Sequence, residues 1–109
     1  AQRIRAIFRM QVRDVMAGVD VLALPTSMLL AESFAVQSPA RSADRSRNTR
    51  PFNFTGQPAV SVPCGFSPAG MPVGLMLVGR RFEDALALQY AQAFESVTPW
   101  SGKHPAAFV

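Results

Sequence analysis

The sequence predicts an α/β fold, a mixed β-sheet flanked by helices, and three observations predict it. Two segments, residues 2–17 and 83–96, repeat apolar residues at helical spacing. Three short apolar runs lie between them, at 19–24, 59–64 and 73–78. Pro and Gly stand at the joins, where the chain must turn. With 109 residues, 49 % of them hydrophobic and 17 % charged, the chain can build one modest core and does not have the composition of a disordered polymer.

In the first helical segment Ile4, Ile7, Phe8, Val12, Val15 and Met16 fall on one stripe, while Arg3, Arg9, Arg13 and Asp14 fall off it. Gly18 follows where a C-cap is expected. Val19 to Leu24, with Pro25 behind it, reads as a strand buried on both faces. From Gln37 to Arg50 the chain turns polar, with Arg41, Arg45, Arg47 and Arg50 around a single Asp44, and reads as a surface loop or a frayed helix. Ala59 to Cys64 alternates as a strand. Gly65 to Pro72 must turn, so Val73 to Val78 is expected to pair antiparallel with its predecessor; being nearly all apolar, it should lie deep in the sheet. In the last helix Leu86, Ala87, Tyr90, Ala91 and Phe94 share a stripe, and Glu83 and Asp84 sit at its positive end. Thr98 and Pro99 stop it, and the tail from Trp100 to Val109 reads as irregular.

Several chemistries find no support in these residues. The lone Cys64 reads as a small apolar strand residue; it can form neither an intrachain disulfide nor a cysteine-based metal site, which fits a reducing, cytoplasmic compartment. One His, one Cys and scattered carboxylates show no metal-ligand spacing, and no cofactor is implied. Pro25 and Glu32 interrupt the longest apolar stretch, so no membrane span is expected. The first residues form an Arg-studded helix pattern, unlike a secretory signal. Gly65-Phe66-Ser67-Pro68-Ala69-Gly70 has the outer spacing of a phosphate-binding loop, but Met71 and Pro72 stand where Lys and Ser or Thr are needed. Ser67 also misses the nucleophile-elbow pattern, because the second glycine comes one residue late. His104 and Lys103, single of their kinds, lie in the tail, away from any serine they could activate. No catalytic set is assembled from this sequence.

Other residues carry a resemblance. Asn53-Phe54-Thr55-Gly56-Gln57-Pro58-Ala59-Val60-Ser61-Val62-Pro63-Cys64-Gly65-Phe66, followed by Gly70-Met71-Pro72-Val73-Gly74-Leu75-Met76-Leu77-Val78-Gly79, closely resembles the C-terminal signature of the amidase-signature family. Asp20-Val21-Leu22 with Pro25-Thr26 resembles the strand before it, and Phe82-Glu83-Asp84, Phe94-Glu95 and Trp100 resemble the closing helix and tail. As residues, Gly56 would end a helical turn, Pro63 and Gly65 would close a strand, and Gly74 and Gly79 would permit close backbone approach or a bend.

The resemblance implies an enzyme that hydrolyses a carbon–nitrogen amide bond of a small substrate with a Ser, cis-Ser, Lys triad. That triad belongs to a Gly/Ser-rich region upstream of this signature. Residues 1–109 are therefore expected to be the C-terminal portion of an amidase-signature domain, inactive alone, whose partner is the N-terminal part of the same enzyme. The start at Ala1, inside a helix pattern and without a methionine, agrees with that expectation. Arg5 resembles the arginine with which glutamine-using A subunits of tRNA-dependent amidotransferases hold a substrate carboxylate, and as a residue it also fits a solvated helix face. Where those proteins keep an acidic residue, Ser46 stands here, with Asp44 nearby. Asn53 reads either as a local turn residue or as a substrate contact, and with Arg5 it makes up the expected substrate-binding pair.

The A component of an amidotransferase is the close alternative and would bring a nucleic-acid partner. The net charge of +4 and the arginines of residues 41–50 motivate a different class, a basic interaction or nucleic-acid-binding module. A homodimer is compatible with either class.

Overall fold

The structure is a computed structural model and describes residues 1–36 and 38–108. Helix α1 (Gln2–Met16) leads into strand β1 (Leu22–Pro25). A loop with a 3₁₀ turn at Phe34–Val36 precedes two short helices, α2 (Pro39–Arg45) and α3 (Arg50–Thr55). Strands β2 (Ala59–Phe66) and β3 (Pro72–Val78) form a hairpin, and helix α4 (Asp84–Ser96) follows. Two 3₁₀ turns, Trp100–Gly102 and Ala106–Phe108, make up most of the tail. Gln37 and Val109, at the edges of the expected loop and tail, lie outside the described residues.

The sheet order is β1-β3-β2, which puts the most apolar strand in the centre, as its composition requires. Helices lie on both faces. Every pairing among the described residues is antiparallel, so they contain no parallel strand of the expected mixed sheet. Alternation along β3 divides the core in two. Met76 and Val78 pack with Phe52 of α3, flanked by Leu22 and Leu24. On the other face Leu77 packs with Val62 and with Ala91 of α4, flanked by Val60, Leu75 and Phe94. The hairpin register breaks between Pro63 and Gly65, which leaves Cys64 as the extra residue of a bulge beside a proline on an edge strand.

Two expectations are corrected. First, β1 begins later than expected and is not buried on both faces: Leu22 and Leu24 are half-buried, and Ala23 and Pro25 are exposed. As an edge strand it has its α3 side covered, while α4 packs over β2 and β3. Second, only the Phe8, Val12 and Met16 side of the apolar stripe of α1 docks, and two arginines dock beside it. Ile4, Ile7 and Val15 are exposed, and the helix meets the body through Arg5, Phe8, Arg9, Val12 and Met16.

The reason lies at the C-terminus of α3, whose last carbonyls have no helical donors. Arg5 Nε donates to Phe54 O at 2.7 Å, and Arg9 Nε to Thr55 O at 3.2 Å. The two arginines are one helical turn apart and so reach successive carbonyls. The C-terminus of α1 is met in the same way: Arg80 Nε donates to Met16 O at 3.3 Å and Arg80 Nη2 to Val19 O at 2.7 Å. The C-cap itself is Ala17 in right-handed conformation, with Gly18 one residue beyond.

Candidate functional site

Docking α1 on α3 leaves an open cavity of about 970 Å³, which residues of α2 also line. Both residues of the expected substrate-binding pair line it, together with Phe8, Asp44, Arg47 and Phe54. Arg5 comes from the first turns of α1, where its guanidinium lies 5.4 Å from the Phe54 ring centroid, a cation–π contact that steadies the head group. Its Nε is committed to Phe54 O, and its terminal nitrogens have no hydrogen-bond partner among the described residues. Asn53 is exposed in the middle of α3. Its backbone N–H bonds to Thr49 O at 3.2 Å, and its side chain makes no hydrogen bond among the described residues. The turn role falls instead to Gly56, the left-handed C-cap of α3 at φ 82°, whose N–H bonds to Phe52 O.

The basic stretch of residues 41–50 is partly neutralised within the chain. Glu32, half-buried beside α2, takes both Arg41 and Arg45, the latter at 3.0 Å. Arg47 pairs with Asp44 at 3.6 Å. Two carboxylates thus offset half of the four arginine charges that motivated a nucleic-acid module. The hydrogen bond from Arg41 holds the Glu32 carboxyl below its ordinary value against desolvation, and Arg45 adds to the effect. A depressed carboxylate stabilises the fold above its unfolded pKa and loses that contribution as pH falls through the folded one. Acidification below about pH 4.5, the ordinary value, should therefore loosen α2 and the chain around Glu32, seen as faster amide hydrogen exchange there. Glu32→Gln should give the same loosening at neutral pH; equal exchange in the variant would show that the cluster does not anchor α2.

A second polar group leaves no trace in the sequence pattern. Thr26 Oγ1 and Ser61 Oγ lie 2.6 Å apart across the bare Cα of Gly74, at one end of a cavity of about 440 Å³. Only the register of β1 and β2 on β3 brings them together, because they are 35 residues apart in the chain. Ser67, by contrast, serves its turn: its hydroxyl accepts from Met71 N–H at 3.1 Å. Lys103 and His104 are exposed in the tail. No group of three or more His, Cys, Asp or Glu residues that could hold a metal occurs among the described residues. No helix among them is long and apolar enough to cross a membrane.

The chain is similar to known proteins along nearly its whole length. The A component of the glutamyl-tRNA(Gln) amidotransferase of Cyanothece sp. is 36 % identical over 96 % of this chain, and that of Chloroflexus aggregans is 38 % identical over 96 %. The chain spans about 22 % of the length of these curated relatives. Among solved structures, the corresponding glutamyl-tRNA(Gln) amidotransferase component of Thermotoga maritima superposes with a TM-score of 0.83 at 32 % identity, over 94 % of this chain and 23 % of that one. A 6-aminohexanoate cyclic dimer hydrolase gives 0.67 at 33 % identity, over 89 % of this chain and 23 % of that one. The family described as Amidase matches residues 1–88. With four-fifths of its residues matched and its three-stranded sheet and helices superposing on those structures, the chain belongs to the amidase-signature family.

Proposed function

We propose that residues 1–109 form the C-terminal portion of an amidase that hydrolyses the carbon–nitrogen bond of a small amide in the cytoplasm. The observation that carries this reading is the superposition on 94 % of this chain but 23 % of an amidase-signature structure. On this reading the nucleophilic serine, the second serine and the lysine come from the remainder of the enzyme. There the serine attacks the amide carbonyl while backbone N–H groups stabilise the oxyanion. The present chain supplies sheet, helices and a pocket wall. The exposed Ile4, Ile7 and Val15 on α1 support this, since they form an apolar face that a larger enzyme would cover.

Arg5 and Asn53 are proposed as the substrate-facing residues of that wall. The terminal nitrogens of Arg5 suit a carboxylate, and the Asn53 amide can both donate and accept. If Arg5 holds a substrate carboxylate, Arg5→Lys in the full-length enzyme should raise KM for a carboxylate-bearing amide roughly tenfold and leave neutral amides unchanged. Equal kinetics on both substrate types would leave Arg5 only its bond to Phe54 O. The names of the curated relatives favour a second reading, an amidotransferase component that uses glutamine and acts with further subunits and a tRNA. Ammonia release separates the readings: a general amidase turns over simple amides unaided, whereas an amidotransferase component prefers glutamine and gains activity with its partner. The 109-residue polypeptide alone should release ammonia at the background rate, and enzymatic turnover by it would sink both readings.

A further inference from the structure

Further along α1 from the groove of Arg5 and Asn53, a second cavity of about 390 Å³ is lined by Arg9, Arg13, Arg80, Arg81 and Gln57, with the sulfur-bearing Met10 and Met16 as its apolar wall. No carboxylate lines it among the described residues. Three acidic residues near it pair with the other two arginines: Asp14 with Arg13 at 3.3 Å, and Asp20 and Glu83 with Arg80 at 3.2 and 3.5 Å, the second oxygen of Glu83 being buried without a hydrogen-bond partner among the described residues. Arg9 and Arg81 make no salt bridge among the described residues, and they converge. A Cβ placed on Gly56 would lie 3.5 Å from Arg81 Nε and 3.9 Å from Arg9 Nη2, so both guanidinium groups approach the same bare backbone. Two like charges drawn together over a glycine repel each other until an anion sits between them.

We propose that this cavity is a binding site for a phosphate dianion, either inorganic phosphate or the terminal phosphate of a small monoester. The four arginines of the cavity exceed the three carboxylates paired with Arg13 and Arg80, and the planar forks of Arg9 and Arg81, which have no carboxylate partner among the described residues, present paired N–H donors to phosphate oxygens. Gln57 contributes an amide. The Thr55 hydroxyl lies against Gln57 Oε1, which leaves the amide nitrogen as the remaining donor. The backbone tie from Arg9 Nε to Thr55 O fixes the first guanidinium, and the contact of Arg81 with the Phe82 ring at 4.8 Å steadies the second. Phe82 itself holds φ 67°, a left-handed conformation that costs energy for a residue with a side chain and turns the chain directly after Arg81. Burial pushes the Arg9 guanidinium below its ordinary value, and the Arg5 and Arg81 charges add to the shift, as unrelieved repulsion requires. The volume leaves room for the group carrying the phosphate.

The site stands on its own geometry and is independent of the amidase reading. The test is calorimetric titration of inorganic phosphate and of phenyl phosphate into the full-length protein at constant ionic strength, with a short RNA as a third arm. One saturable site is expected. Loss of one guanidinium in Arg81→Gln should weaken binding roughly tenfold or more, and Arg9→Gln should do the same. Arg3→Gln, at an exposed position outside the cavity, should leave it unchanged. Arg81 makes no hydrogen bond among the described residues, so Arg81→Gln reads binding even if Arg9→Gln disturbs the fold. Tighter binding of phenyl phosphate would identify a monoester, and equal binding would identify free phosphate. No saturable binding by the unaltered protein would overturn the proposal. Equal losses in Arg3→Gln and Arg81→Gln would do so too, as would RNA binding that neither phosphate displaces.

Discussion

Met76→Ala should destabilise the chain by about 2–5 kcal/mol, measured as a lower midpoint of urea denaturation. Met76 is 3 % exposed in the central strand and packs against Phe52, Val78, Leu22 and Leu24. With Val78 its side chain joins Phe52 of α3 to Leu22 and Leu24 of the edge strand β1 on one face of the sheet. Truncation would leave a void that rigid strands on either side cannot close. Because α3 carries the carbonyls that receive Arg5 and Arg9, the loss should spread to the docking of α1. Hydrogen exchange should therefore rise in α1 before it rises in α4, which rests on the opposite face. Simultaneous loss of protection in both helices would mean that the two faces melt as one unit.

Gly74→Ala should cost about 1–3 kcal/mol by overpacking. The added Cβ would lie 2.9 Å from Ser61 Oγ, 2.9 Å from Thr26 Oγ1 and 3.3 Å from Thr26 Cβ. Thr26 cannot simply retreat, because its backbone N–H is bonded to Gly74 O at 2.9 Å. The hydroxyl pair must open or the edge strand must move. Ser61→Ala removes one of the two clashing oxygens, so Gly74→Ala combined with Ser61→Ala should be less destabilised than the sum of the single changes. Strict additivity in that double-mutant cycle would place the strain elsewhere.

The sequence alone determined the element types and their apolar faces wherever local patterning and core packing agree. Of the stripe Leu86, Ala87, Tyr90, Ala91 and Phe94, α4 buries or half-buries all but Tyr90, which is exposed, and the apolar run 73–78 is the central strand. Gly56 ends α3, as its place before Pro58 implied. The signature from Asn53 to Gly79 by itself pointed to the family that matches residues 1–88. Arg5 and Asn53 do share one groove, although the spacing between them says nothing about it.

Tertiary structure decided what depends on distant neighbours. Of the apolar stripe of α1 only Phe8, Val12 and Met16 dock, because the terminal carbonyls of α3 draw Arg5 and Arg9 to the same side; a helix-end carbonyl has no helical donor, and a periodic pattern does not record where such carbonyls lie. The same applies to Glu32 with Arg41 and Arg45, to Thr26 with Ser61, and to Arg9 with Arg81 over Gly56. Each joins residues from separate elements, and only strand register and helix docking bring them within reach. Local periodicity sets which face of an element is apolar; long-range pairing sets which polar groups meet.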